Sequence, residues 1–181
     1  EDYGGDMNRV LITGMGLVSC LGHDPQTYFD NLLAGKSGIK LITGFDTTNL
    51  PVKFAGEITD FDPLQYVDKK FDRRYDKCIA YSIAASKRAM DDAGLDAETL
   101  EKLDKRRMGV LIGSGLGGTT TYYEQCVTFH ENGVKKVSPF FIAAVIPDMS
   151  SGMVAIEHGF MGPNFSISSA CASSNHSIIT A

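Results

Sequence analysis

Near its C-terminal end the sequence sets one thiol among small residues, Ser168-Ser169-Ala170-Cys171-Ala172-Ser173-Ser174. The alternation from Asn164 to Ser168 reads as a strand, and the residues from Cys171 onward read as a helix. Where a strand turns sharply into a helix, a side chain can project from the turn while nearby backbone N–H groups stay unpaired. The positive end of the helix favours a thiolate, and free N–H groups can hold an oxyanion. Cys171 is thus a candidate nucleophile. The bland role, a cysteine packed in the core, is the commoner one for a free thiol, and position alone leaves it open. Cys20, Cys78 and Cys126 have no comparable setting. Cys78 and Cys126 fall inside helical patterns, where core packing is expected.

Gly113-Ser114-Gly115-Leu116-Gly117-Gly118 follows a strand pattern and fits the dinucleotide fingerprint GxGxxG. It stands at the second clear strand, however, and the acidic residue some twenty positions on, Glu131, falls at a helix end and not a strand end. The plainer reading is that these glycines let the backbone pass close to another element. The earlier Gly14-Met15-Gly16 carries Ser19 at the third position and fails the pattern. The four cysteines form no CxxC pair, and His23, His130, His158 and His176 show no ligand spacing with them. Reduced thiols, no metal and no cofactor are expected. Lys69, Lys70, Arg73 and Arg74 form one basic cluster and Lys135 and Lys136 another. Such clusters are usually solvated surface; the functional alternative is a docking point for an acidic protein partner.

The elements that must position these groups alternate. Arg9 to Thr13 reads as a short strand, ending in Gly14-Met15-Gly16, and Asp24-Pro25 starts a helix closed by Gly35. One further strand is expected near Val52 to Ile58. From Asp72 to Ala93, Tyr75, Ile79, Ile83 and Met90 recur on one face of a long, half-buried helix, and Asp96 caps a short one. Met108 to Ile112 reads as a strand, Thr119 to Asn132 as a helix, and Met149 to His158 as another ended by Gly159. Strands alternating with helices give an α/β layered domain.

With 181 residues, 43% of them hydrophobic and 22% charged, the chain can bury a normal core. A formal net charge of −5 gives no reason to expect nucleic acid as a partner. No apolar run approaches the roughly 20 residues that span a bilayer, so membrane insertion is not expected. The start, Glu1 to Asp6, is acidic where a signal peptide is basic, which points to a cytoplasm-like location.

Four segments in order, VLITGMGLVSCLG, GVLIGSGLGG, VSPFFIAAVIPDMSSG and GPNFSISSACASSNHS, resemble the β-ketoacyl-acyl carrier protein synthases, particularly the elongating type of bacteria and plastids. The resemblance implies a thiolase-type layered fold of two similar α/β halves. Residues 9–181 would be the first half, ending within the nucleophile helix, and residues 1–8 an acidic extension. It implies that Cys171 takes an acyl chain from a carrier protein, and that a carbanion from decarboxylated malonyl-carrier protein then attacks the thioester. The Cys171 N–H would form half of the oxyanion hole. The family's two histidines, lysine and second oxyanion donor come from its second half. His158 and His176 match none of its motifs, so the 181 residues alone are expected to be inactive. Leu116 and Ala170 align with the acyl-chain pocket, and Ile142 with a pocket position that a dimer partner contributes. Also implied are a homodimer, an acidic acyl carrier protein meeting the basic clusters, and a cytoplasmic location, or the plastid stroma in a plant or alga. Ala143, Ala144, Asp148 and the stretch His176 to Ile179 depart from common members. A non-catalytic partner subunit or inert fragment of the same fold is the alternative, with thiolases and polyketide ketosynthases as nearer relatives; the thiol at that turn favours the condensing enzyme.

Overall fold

Aspartates start most of the helices and glycines end several. The structure, a computed structural model, describes residues 9–181; the acidic stretch expected as an extension, residues 1–8, lies outside them. Asp24 accepts the Thr27 N–H at 2.9 Å and opens α1 (Pro25–Leu33). β1 (Lys40–Leu41) pairs antiparallel with β2 (Phe54–Ala55), a two-residue core of the strand expected over 52–58. A 3-10 turn (Pro63–Gln65) leads into α2 (Lys69–Asp72). The long helix α3 (Lys77–Asp92) starts five residues later than the apolar pattern suggests, because Asp72 closes α2 and Asp76 caps α3 through the Cys78 N–H at 3.2 Å. α4 (Ala97–Glu101), a 3-10 turn (Lys105–Arg107) and β3 (Val110–Leu111) follow. α5 (Thr119–Asn132) stops at Gly133, whose φ of 78° few other residues tolerate. Beyond it come a 3-10 turn (Val134–Lys136), α6 (Phe141–Val145), α7 (Met149–His158), β4 (Asn164–Phe165), a 3-10 turn (Ala170–Ala172) and α8 (Ser173–Thr180).

The core lies where α3 meets α7. Ile79, Ala80 and Ile83 of α3 pack with Val154 and Ala155 of α7, joined by Val67 and Val110. Each large aliphatic side chain buried there contributes roughly 1.5–3 kcal/mol. β3 and β4 run parallel and rest on α7, with Val110 opposite Asn164 and Leu111 opposite Phe165.

Both strands are shorter than the patterns 108–112 and 164–168. The Val110 N–H reaches the Pro163 carbonyl at 2.9 Å, and the Ser114 N–H reaches that of Ile167 at 3.2 Å. Between them the buried Ser151 hydroxyl is inserted: it accepts from the Ile112 N–H at 3.1 Å and donates to the Phe165 carbonyl at 3.1 Å. Ser166 Oγ donates to the Ile112 carbonyl at 2.8 Å. The ladder continues through serine hydroxyls where regular pairing would run.

The strand expected at Arg9–Thr13 is absent. Val10, Leu11 and Ile12 are 89%, 63% and 83% exposed, and no described strand lies alongside to pair with them. What fixes the segment is the end of α3: Gly14 and Gly16 lie against the Ala89 and Ala85 carbonyls, and the Met15 N–H donates to Asp92 at 2.8 Å.

Candidate active site

The chain from β4 reaches Cys171 through a turn held in an unusual conformation. Ala170 has a φ of 48°, the only non-glycine with positive φ among the described residues. For an L-residue that conformation costs about 1–2 kcal/mol and persists only where the surroundings over-determine it. The Ala172 N–H donates to the Ser169 carbonyl at 3.0 Å and the Ser173 N–H to that of Ala170, so the Cys171 N–H lies outside the turn's own bonds. The Cys171 side chain is exposed. The helix expected from Cys171 begins instead at Ser173, because Ala170–Ala172 take the tighter 3-10 form. Cys171 thus sits one short turn ahead of the α8 N-terminus.

The loop after β3 packs against this turn. Gly113 lies against the Ser173 carbonyl and the Ser174 nitrogen, and Gly115 faces Ala170, where a Cβ would stand 3.7 Å from its Cα. On its other side the loop meets α6, with Gly117 against the Val145 carbonyl and Gly118 against that of Ala144. The GxGxxG glycines therefore serve close backbone approach, the plainer reading. Ser114 Oγ donates to the Leu116 carbonyl at 2.7 Å and shapes the loop tip. Leu116 and Ile142 are 76% and 63% exposed, and Ala170 is exposed as well. The structure brings Leu116's loop to Ala170, while Ile142 stands at the surface of α6.

The segments that carry the two basic clusters touch through Arg74 and Phe140. The Arg74 guanidinium stacks over the Phe140 ring at 4.5 Å, and the Ser138 N–H donates to Gln125 of α5 at 2.7 Å. Phe140 and Ser138 directly follow the turn carrying Lys135 and Lys136. Lys69, Lys70, Arg73, Lys135 and Lys136 are exposed. Arg74 is half-buried by its stacking.

The remaining thiols and histidines occupy other places. Cys78 is half-buried on α3, where burial first and the Asp76 charge second push its pKa up to about 11. Cys126 was expected in the core and is exposed; α5 buries none of its residues. It borders an apolar cleft of about 340 Å³ with Tyr122, Phe129, Val134, Val137 and Phe141. His158 bonds Ser86 Oγ at 3.0 Å and stacks on Phe160. Burial, its largest influence, holds its pKa below the ordinary histidine value. His176 is exposed on α8.

Three residues that the sequence reading passed over do much of the positioning. Asp76 caps α3 with one oxygen and with the other accepts from the Thr121 N–H and hydroxyl at 3.0 and 3.1 Å, tying α5 to α3. Ser151 and Ser173 are both buried. The available signal was slight: an aspartate immediately before a half-buried helix, and serines at positions where a core would carry alanine.

The sequence pattern described as "Beta-ketoacyl synthase, N-terminal domain" matches residues 7–181. The chain belongs to the β-ketoacyl synthase family. It is 48% identical over 168 residues to the chloroplastic 3-oxoacyl-[acyl-carrier-protein] synthase I of Arabidopsis thaliana, covering 93% of this chain and 36% of that protein. Against 3-oxoacyl-[acyl-carrier-protein] synthase 2 of Coxiella burnetii the identity is 40%, covering 96% of this chain and 41% of the relative. A crystal structure of a β-ketoacyl synthase from Burkholderia phymatum superposes with a TM-score of 0.82 at 28% identity, covering 97% of this chain and 43% of that one. The chain therefore spans about two fifths or less of the curated relatives it matches, and its α/β fold is the N-terminal half of the thiolase-type ketosynthase fold.

Proposed function

We propose that the protein is a 3-oxoacyl-acyl carrier protein synthase of fatty-acid elongation in which Cys171 carries the growing acyl chain. The observation that carries this reading is the exposed thiol on a strained turn whose own N–H is left out of the turn's hydrogen bonds. The Cys171 sulfur attacks the thioester carbonyl of an acyl-carrier protein. A new S–C bond forms, the carrier's S–C bond breaks, and the carrier thiol leaves with the proton that Cys171 gives up. The Cys171 N–H faces the oxygen that becomes negative on the way. Malonyl-carrier protein then loses CO₂, and the resulting carbanion attacks the acyl carbonyl and displaces the Cys171 thiolate, giving 3-oxoacyl-carrier protein.

In the same reading Leu116 and Ala170, on adjoining loops, line the acyl pocket, and Ile142, exposed on α6, completes that of a second copy. The homodimer has β4 available: among the described residues it pairs only with β3 and keeps one free edge. The joined basic face of Lys69, Lys70, Arg73, Arg74, Lys135 and Lys136 receives the acidic carrier. No helix among the described residues is long and apolar enough to cross a membrane. The Arabidopsis relative is named chloroplastic, and the plastid stroma, or the cytoplasm of a bacterium, is the location this reading assigns.

The test is Cys171→Ser in the full-length protein. Acyl-enzyme on mass spectrometry and 3-oxoacyl product should both be lost, with acyl-carrier binding kept. Undiminished product formation would refute the assignment.

A further inference from the structure

We infer that Ser173 is a positioning residue for the nucleophile, whose hydroxyl clamps the turn that presents Cys171; this rests on the reading of Cys171 given above. Ser173 is 4% exposed and uses its hydroxyl twice. It accepts a hydrogen bond from the Ser169 N–H at 2.9 Å and donates one to the Ala170 carbonyl at 2.7 Å. The first belongs to the peptide unit before the Ser169 Cα, and the second to the unit after the Ala170 Cα, which also carries the Cys171 N–H. One side chain therefore bridges both sides of the residue held at a φ of 48°.

Without that bridge the Ser169 N–H keeps no partner in the turn, and Ala170 is free to relax to negative φ, the conformation alanine prefers. Rotation at Ala170 swings the next peptide unit, which carries the Cys171 N–H, and moves the thiol with it. The clamp is itself braced. Ser177 Oγ donates to the Ser173 carbonyl at 3.0 Å from the following turn of α8, and Gly113 closes against the same carbonyl from the β3 side. A hydroxyl that merely filled space needs none of this directionality. Alanine would pack there as well, and the helix would still start.

The inference separates two effects of removing the hydroxyl. Global stability changes modestly, since the Ser173 hydroxyl bonds only Ser169 and Ala170 and makes no hydrogen bond to β3, β4, α7 or α3. The rate of acyl transfer falls steeply, since a displaced nucleophile loses both its trajectory and its oxyanion donor.

The experiment uses the full-length protein as wild type, Ser173→Ala, Ser173→Thr and Ser173→Cys. Stopped-flow acylation from an acyl-carrier thioester gives the transfer rate and the carrier affinity, and mass spectrometry of proteolytic peptides locates the acyl group. Ser173→Ala is expected to acylate Cys171 about 10- to 100-fold more slowly, with carrier affinity unchanged. Ser173→Thr, whose hydroxyl can still reach the carbonyl three residues back, is expected to restore most of the rate. Ser173→Cys has nearly the size of serine but is a weak donor and acceptor; it covers the case in which Ser173→Ala does not fold, and it is expected to be slow in the same way. A wild-type rate in Ser173→Ala or Ser173→Cys overturns the positioning role. So does a lowered rate that follows melting temperature across all three variants without recovery in Ser173→Thr. An acyl group found on a peptide lacking Cys171 overturns the functional reading itself, and is distinguishable because the wild type shows it too.

Discussion

Four thiols in one chain differ by environment more than by chemistry. Cys171 and Cys126 are exposed, Cys20 is partly covered, and Cys78 is half-buried beside a carboxylate. Glycines 38 and 56 close on the Cys20 sulfur, where a Cβ at either position would crowd it. The Cys78 thiol, raised to about 11, stays protonated through the neutral range and becomes a thiolate only in strong alkali. At neutral pH, iodoacetamide should therefore modify Cys171 first, Cys126 more slowly, and Cys78 not at all in the folded protein. Prior incubation with an acyl-carrier thioester should protect Cys171 and leave Cys126 labelling unchanged. The comparison with Cys126 is the sharp one, because exposure is shared and only the setting of the thiol differs. Equal labelling of the two, with no protection of either, would show that the turn confers nothing on Cys171.

At the scale of elements, the junction between β3, β4 and α7 depends on Ser151. The side chain is fully buried, and its one hydroxyl satisfies the Ile112 N–H and the Phe165 carbonyl together. Ser151→Ala strands both groups in the interior, and a loss of roughly 1–3 kcal/mol in urea unfolding is expected, with faster amide exchange at Ile112. Unchanged stability would mean the strands close up directly. The α3–α7 contact carries a second test, this time with pH. His158 has a folded pKa below the ordinary value of about 6.5, so as pH falls through the mid-6 range and below, the unfolded chain takes up a proton the folded chain resists. Stability is then full above that range and declines beneath it. His158→Gln should flatten that part of the stability profile, as followed by thermal melts across pH. Those helix starts and stops that rest on a local signal were legible in the sequence: Asp24, Asp96, Gly133 and Gly159 act on their own neighbours, whereas the starts of α3 and α8 were placed too early. The strands at 108–112 and 164–168 were legible in place but not in length, because Ser151 is inserted from 39 residues away. Arg9–Thr13 was misread because a pleated apolar pattern states a preference, and only a neighbouring strand can realise it. At the site, the small residues around Cys171 signalled the turn, but the φ of Ala170 and the Ser173 clamp are consequences of tertiary fit.

Over the whole molecule, the buried core is small for the apolar content. The core centres on α3 and α7, while Ile12, Leu33, Leu41, Ile178 and Ile179 are 83%, 72%, 72%, 72% and 81% exposed. Single exposed apolar residues are ordinary, but runs such as Val10-Leu11-Ile12 and Ile178-Ile179 are not. The chain covers 36% of the Arabidopsis synthase and 43% of the Burkholderia structure, so the family fold has further mass with which such surface can be covered. Covering each large side chain is worth roughly 1.5–3 kcal/mol, enough that a handful decides whether a domain of this size stays folded. Residues 9–181 produced alone are therefore expected to self-associate or precipitate, and to bind a dye specific for exposed apolar surface. They are also expected to form no condensation product. In the proposed reading Cys171 takes the acyl group, but decarboxylation of the malonyl unit needs groups that stabilise an enolate; His158 is engaged with Ser86 on α3, and His176 is exposed on α8. The assay follows CO₂ release and 3-oxoacyl product from acyl- and malonyl-carrier protein, comparing this stretch with the full-length protein. Product from residues 9–181 alone would place the enolate-stabilising groups within them, and would return His158 and His176 to consideration.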